Sequence, residues 1–131
     1  MTKRRVVVTG LGIVSPVGIG IAQAWDNLLH GRSGVGPITK FDPAALSTRI
    51  AAEVKGFDAT QWMTPKEARR SDTFVHFGIA ATKLALEDAG LVIDESNADR
   101  IGVVVGSGIG GLPMIEENIL EMGAKGPRRI S

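Results

Sequence analysis

Three groups of residues in this chain have types and spacings that chemistry can use. Residues 106–111, Gly-Ser-Gly-Ile-Gly-Gly, have the spacing G-x-G-x-x-G between an apolar run and an amphipathic one. Glycine bares backbone N–H groups there, and at a helix start such groups can cradle a phosphate. Lys66, Arg69 and Arg70 lie three and four residues apart and form the densest positive cluster in a chain whose formal charge is only +1. On a helix that spacing puts them on one face. Glu116 and Glu117 are the third group, but helical neighbours point in different directions, so they make no acid/base pair. Charge stabilisation at a helix N-terminus or surface contacts account for them. Against these stands an absence: the 131 residues hold no cysteine and only two histidines, His30 and His76. Disulfides, thiolate metal sites and thiol catalysis are therefore excluded within these residues, and no metal site is expected.

The glycine spacing has two readings. A dinucleotide fingerprint needs a second strand with an acidic residue about 20 positions on, and here the chain continues into Gly126-Pro-Arg-Arg without one. The earlier turn, Gly10-x-Gly12, is followed by Ser15 and Pro16, and His30 stands where the acid would be. Tight packing of strand on helix explains both turns without a ligand, so nucleotide binding is the weaker reading.

The elements that must position these residues can be read from periodicity. Arg5-Val-Val-Val-Thr-Gly10 and Ile101-Gly-Val-Val-Val105 are β-branched runs of the kind that fill strands covered on both faces. Residues 10–18 turn the chain. Residues 21–30 carry Ala22, Trp25, Leu28 and Leu29 at helical spacing, with Gly31 as the stop; Trp25 is expected in core or interface packing. Residues 32–47 read as loop and Ile50 to Val54 as a short strand. Thr64 is a cap with Pro65 in the first helical position. A longer helix is predicted from Ser71-Asp72 to about Ala89, closed by Gly90, and another over residues 112–122, followed by a loop. Strands alternating with helices predict an α/β fold with a mostly parallel sheet.

Composition bounds the rest. Hydrophobic residues are 44% and charged residues 22% of the chain, as in ordinary soluble globular proteins. Near-neutral charge gives no electrostatic case for nucleic acid. No run approaches the roughly 20 apolar residues that cross a bilayer, and Gly10, Gly12 and Pro16 interrupt the N-terminal apolar run too early for a signal peptide. A cytoplasmic location and no membrane insertion are expected.

Read together, Val6-Val-Val-Thr-Gly-Leu-Gly-Ile-Val-Ser-Pro-Val-Gly18, Trp25 with Leu28-Leu29 and Gly31-Arg-Ser-Gly34, and Gly106-Ser-Gly-Ile-Gly-Gly-Leu112 with Ile115-Glu-Glu-Asn118 closely resemble the β-ketoacyl-acyl-carrier-protein synthases, nearest to the synthase II type. The resemblance runs through the whole chain in order. It implies a thiolase-like αβαβα sandwich of two similar halves, with residues 1–131 as the N-terminal portion, most of the first half, and the second half absent. It implies a 3-oxoacyl-[acyl-carrier-protein] synthase of fatty-acid elongation, performing a decarboxylating Claisen condensation on a cysteine without metal or organic cofactor. That cysteine and its histidine and lysine partners are expected outside these residues, so the segment alone is expected to be inactive; His30 and His76 fall at no catalytic position. The family pattern places Gly108 and Ile109 in the acyl pocket, Ile109 as a gate, where residue type alone would put Ile109 in the core. It places Lys66, Arg69 and Arg70 where the acidic acyl carrier protein and its phosphopantetheine arm dock, where a solvated face is the plain alternative. The complete enzyme is expected to be a homodimer. A non-catalytic carrier-binding module and a nucleotide-binding domain are the competing readings. Without its second half the segment is expected to show an apolar patch larger than a few hundred Å².

Overall fold

The computed structural model describes residues 3–130. Four helices and two small antiparallel hairpins order the chain. The first hairpin pairs β1 (Val14–Ser15) with β2 (Gly18–Ile19) across Pro16-Val17. It is tied to α1 (Ile21–Leu29) by Asn27 Nδ2, which donates to Val17 O at 2.6 Å, and by Ile19 N, which donates to Gln23 Oε1 at 2.9 Å. Gly31 closes α1 with φ +61°, a conformation costly for any residue with a Cβ.

The second hairpin pairs β3 (Val35–Pro37) with β4 (Ile50–Ala52). β3 lies inside the stretch expected to be loop. Gly36 and Pro37 hid it, since both residue types are depleted in strands, yet Ile38 N also donates to Arg49 O at 3.0 Å and extends the pairing.

The short helix α2 (Pro65–Ala68) starts where the cap and proline put it. α3 (Thr73–Asp88) is capped by Asp72 and closed at Gly90, φ +60°; at 1.5 Å per residue it runs about 24 Å and forms the spine of the segment. α4 (Leu112–Lys125) extends past the expected end, and a 3-10 turn at Pro127–Arg129 follows, so little of that tail is loop. Further 3-10 turns lie at Ala59–Gln61 and Ala98–Arg100.

The N-terminal run packs on α3 through its glycines. A Cβ at Gly10 or Gly12 would collide with the α3 backbone at Ala85 or Ala81, and Leu11 N donates to Asp88 Oδ2 at 2.8 Å. Phe57 meets Phe77 of α3 edge-on, centroids 4.9 Å apart. Lys83 of α3 donates to the carbonyl of Trp62 and holds the preceding loop.

Two expectations are corrected. The valine runs at residues 6–8 and 103–105 join no ladder among the described residues, and the only sheets there are the two hairpins, both antiparallel. Val6 is 95% and Val104 99% exposed. The residue types are those of buried strands, but a strand is made by partners, and none is present to bond them. Trp25 is exposed, which excludes the core part of its expected packing, and among the described residues the buried apolar side chains are the small Ala24 and Ala80. The exposed apolar residues include both valine runs and Trp25, Leu28 and Leu29 of α1.

Candidate functional site

The basic cluster is built by a capping box. Thr64 Oγ1 accepts from Glu67 N, while Glu67 Oε2 accepts from Thr64 N at 2.8 Å and from Thr64 Oγ1 at 2.7 Å. This reciprocal pair satisfies donors that a helix start leaves free. The Thr64 hydroxyl and backbone N–H hold the Glu67 carboxyl below the usual carboxylate range, with Lys83 adding attraction and partial desolvation opposing. Lys66 lies in α2; Arg69 is its C-cap in helical conformation, and Arg70 N donates to Glu67 O at 3.0 Å. The single turn therefore carries all three cations, each exposed. Among the described residues none of them is in an ion pair, and the one carboxylate in the turn is engaged by Thr64.

The end of this turn is fastened to α3. Ser71 Oγ donates to Glu67 O at 2.8 Å, and His76 Nε2 lies 3.0 Å from Ala68 O and 3.2 Å from Ser71 Oγ. His76 is thus a packing histidine. His30 is exposed, 2.8 Å from Asp26 O and 3.2 Å from Asp26 Oδ1. Among the described residues His30 pairs only with Asp26 of its own helix, and the Ser71 hydroxyl beside His76 donates to Glu67 O.

The glycine loop leads into α4, as its spacing predicts, but the helix start is occupied. Asp72 Oδ2 accepts from Met114 N at 3.0 Å, so a carboxylate stands where a bound phosphate would lie. That disfavours the nucleotide reading on electrostatic grounds. Gly108 is open, with nothing within 4 Å of the place of a Cβ. Ile109 is 74% exposed, which rules out a core role among the described residues. A branched apolar side chain held in the open at a glycine loop is suited to close on an alkyl group brought to it.

An apolar groove of about 510 Å³ runs along α3 beneath residues 103–105, lined by Phe74, Gly78, Ile79, Leu86, Val103 and Val105 among others. Gly108 and Ile109 are outside its lining. Asp72, two residues after Arg70, joins the start of α3 to the start of α4. Its bond to Met114 crosses 42 positions of sequence, and no local pattern announces it. Glu116 and Glu117 are both exposed on α4 and form no pair. Among the described residues no group of three or more histidine, aspartate or glutamate side chains could hold a metal ion, and no helix is long and apolar enough to cross a membrane.

Comparison with known proteins gives one consistent result. A family profile described as the N-terminal domain of β-ketoacyl synthase matches residues 3–131. Proteins named 3-oxoacyl-[acyl-carrier-protein] synthase 2 from Vibrio cholerae, Coxiella burnetii and Synechocystis are 53%, 51% and 50% identical over all 131 residues. The chain spans 32% of the length of each. Among solved structures, the ishigamide ketosynthase/chain length factor superposes with a TM-score of 0.80 at 30% identity, over 99% of this chain and 32% of that one. The backbone thus follows a ketosynthase fold even where its valine runs lack partners.

Proposed function

The chain belongs to the β-ketoacyl synthase family, and from that premise we propose that it is the N-terminal portion of a 3-oxoacyl-[acyl-carrier-protein] synthase in fatty-acid elongation. The reaction is a decarboxylating Claisen condensation. An acyl group passes from carrier thioester to an enzyme cysteine; the malonyl carrier loses carbon dioxide; the resulting carbanion attacks the acyl thioester and expels the thiolate. Splitting acyl transfer from carbon–carbon bond formation replaces one hard step by two easier ones, and donors aimed at the developing oxyanion lower both barriers. The main support is agreement along the whole chain with relatives of that name. These 131 residues contain no cysteine, so the nucleophile and its partners belong to other parts of the enzyme, and this segment does not run the reaction by itself.

The role of the segment is recognition. Lys66, Arg69 and Arg70, three unpaired exposed cations on one turn, receive the acidic acyl carrier protein and its phosphopantetheine arm. Gly108 and Ile109 border the acyl pocket, with Ile109 as the gate. The bare valine runs and the exposed face of α1 are covered in the complete enzyme, a cytoplasmic homodimer. Covering the valines alone would contribute on the order of 10 kcal/mol, as much as the net stability of a typical domain. A purely carrier-binding module would keep the basic turn and leave Ile109 without a task.

Carrier docking is tested by Arg69→Glu in the complete enzyme. The Michaelis constant for the acyl carrier protein should rise roughly fivefold at low salt, the scale of an exposed charge contact. The difference should shrink at physiological ionic strength, where charges are screened within about 8 Å. An unchanged constant at low salt would remove docking from this turn.

A further inference from the structure

Among the described residues Asp72 is the single buried charged side chain, 9% exposed, and its two oxygens face two different helices. Oδ1 accepts from Thr73 N at 2.5 Å and caps α3; Oδ2 accepts from Met114 N at 3.0 Å in the first turn of α4. α4 has no cap of its own, because Gly111 at its N-cap position offers no side chain. One carboxylate therefore serves two helix starts, where free N–H groups and the positive ends of both dipoles favour a negative charge.

The glycine loop is seated on this junction at one end only. A Cβ at Gly111 would come within 2.8 Å of Asp72 Oδ2. Gly110 has φ +77°, and a Cβ there would lie 3.4 Å from the Phe74 ring. Gly106 and Gly108, by contrast, have nothing within 4 Å. Ile109 is thus the first residue beyond the anchored end.

We propose that Asp72 is a positioning residue that, by joining the starts of α3 and α4, fixes where Ile109 stands and so sets the acyl length the enzyme accepts. The inference rests on the reading of Ile109 as a gate.

Two variants break the junction in different ways. Asp72→Ser keeps a hydroxyl able to cap α3 but is too short to reach Met114. Asp72→Asn keeps the size and presents an NH₂ group to one of the two backbone donors. In the complete synthase, the ratio of kcat/KM for a long and a short acyl carrier should shift by about fivefold in both variants, the scale of a weak coupling between linked sites. That shift should vanish when Ile109 is already alanine, since a residue acting through another has nothing left to act on. Equal loss at every acyl length, or a shift that survives Ile109→Ala, would reduce Asp72 to a structural role and overturn the proposal. If Ile109→Ala alone leaves the ratio unchanged, the gate reading falls and this inference with it; if it changes the ratio and the Asp72 variants do not, only this inference falls. Amide exchange in the unaltered enzyme tests the link without any variant. The Met114 N–H should exchange at least about tenfold slower than an unprotected amide, and exchange at the free rate would overturn the proposal.

Discussion

Ile109 shows how far one residue can be read from sequence. Its type is that of a core residue, and only its place between glycines, in a segment resembling a known family, moved it to a pocket. Its exposure excludes the core among the described residues. If it gates the acyl chain, Ile109→Phe in the complete enzyme should lower kcat/KM for long acyl carriers at least tenfold relative to short ones. A pocket discriminates single methylenes by about 10–200-fold, and a phenyl ring adds more volume than that. An unaltered ratio would remove the assignment. Asp72 marks the opposite limit. The helix start at Ser71-Asp72 is legible, because short polar side chains before an apolar periodic run are a local signal. The bond from Asp72 to Met114 is not, because that contact exists only after α3 and α4 are placed together.

At the scale of elements, local chemistry decided what was readable. The starts of α2 and α3, and the stops at Gly31 and Gly90, depend on one or two residues each and were found where their residue types put them. β3 is hidden because its Gly36 and Pro37 disfavour a strand, and pairing with β4 overrides them. The valine runs have the residue types of strands covered on both faces, but a ladder is a relation between segments. The capping box of α2 gives a pH test. The folded pKa of Glu67 is lowered by the Thr64 hydroxyl and N–H, so its contribution is present above the usual carboxylate range and is lost as pH falls through the lowered value. Glu67→Gln keeps an acceptor but cannot ionise. The Tm of the unaltered enzyme should therefore exceed that of Glu67→Gln by a constant amount above the carboxylate range, with the gap closing as acid is added. A gap independent of pH would contradict an ionised capping box. The box matters to docking because it sets the turn that carries Lys66, Arg69 and Arg70.

At the scale of the whole molecule, the segment has the path of a ketosynthase and few of its covered faces. A TM-score of 0.80 coexists with valines up to 99% exposed. Overall fold class was legible because resemblance carries non-local information that periodicity does not. On the proposed reading, this segment would recognise carrier and acyl chain, and the thiol chemistry would be done elsewhere in the enzyme. The most direct test is to supply the complete enzyme with an acyl carrier and a malonyl carrier and to follow carbon dioxide and product together. The account predicts one carbon dioxide released for each 3-oxoacyl carrier formed, two carbons longer than the acyl group supplied. Carrier binding without that product, or product formed without loss of carbon dioxide, would contradict it.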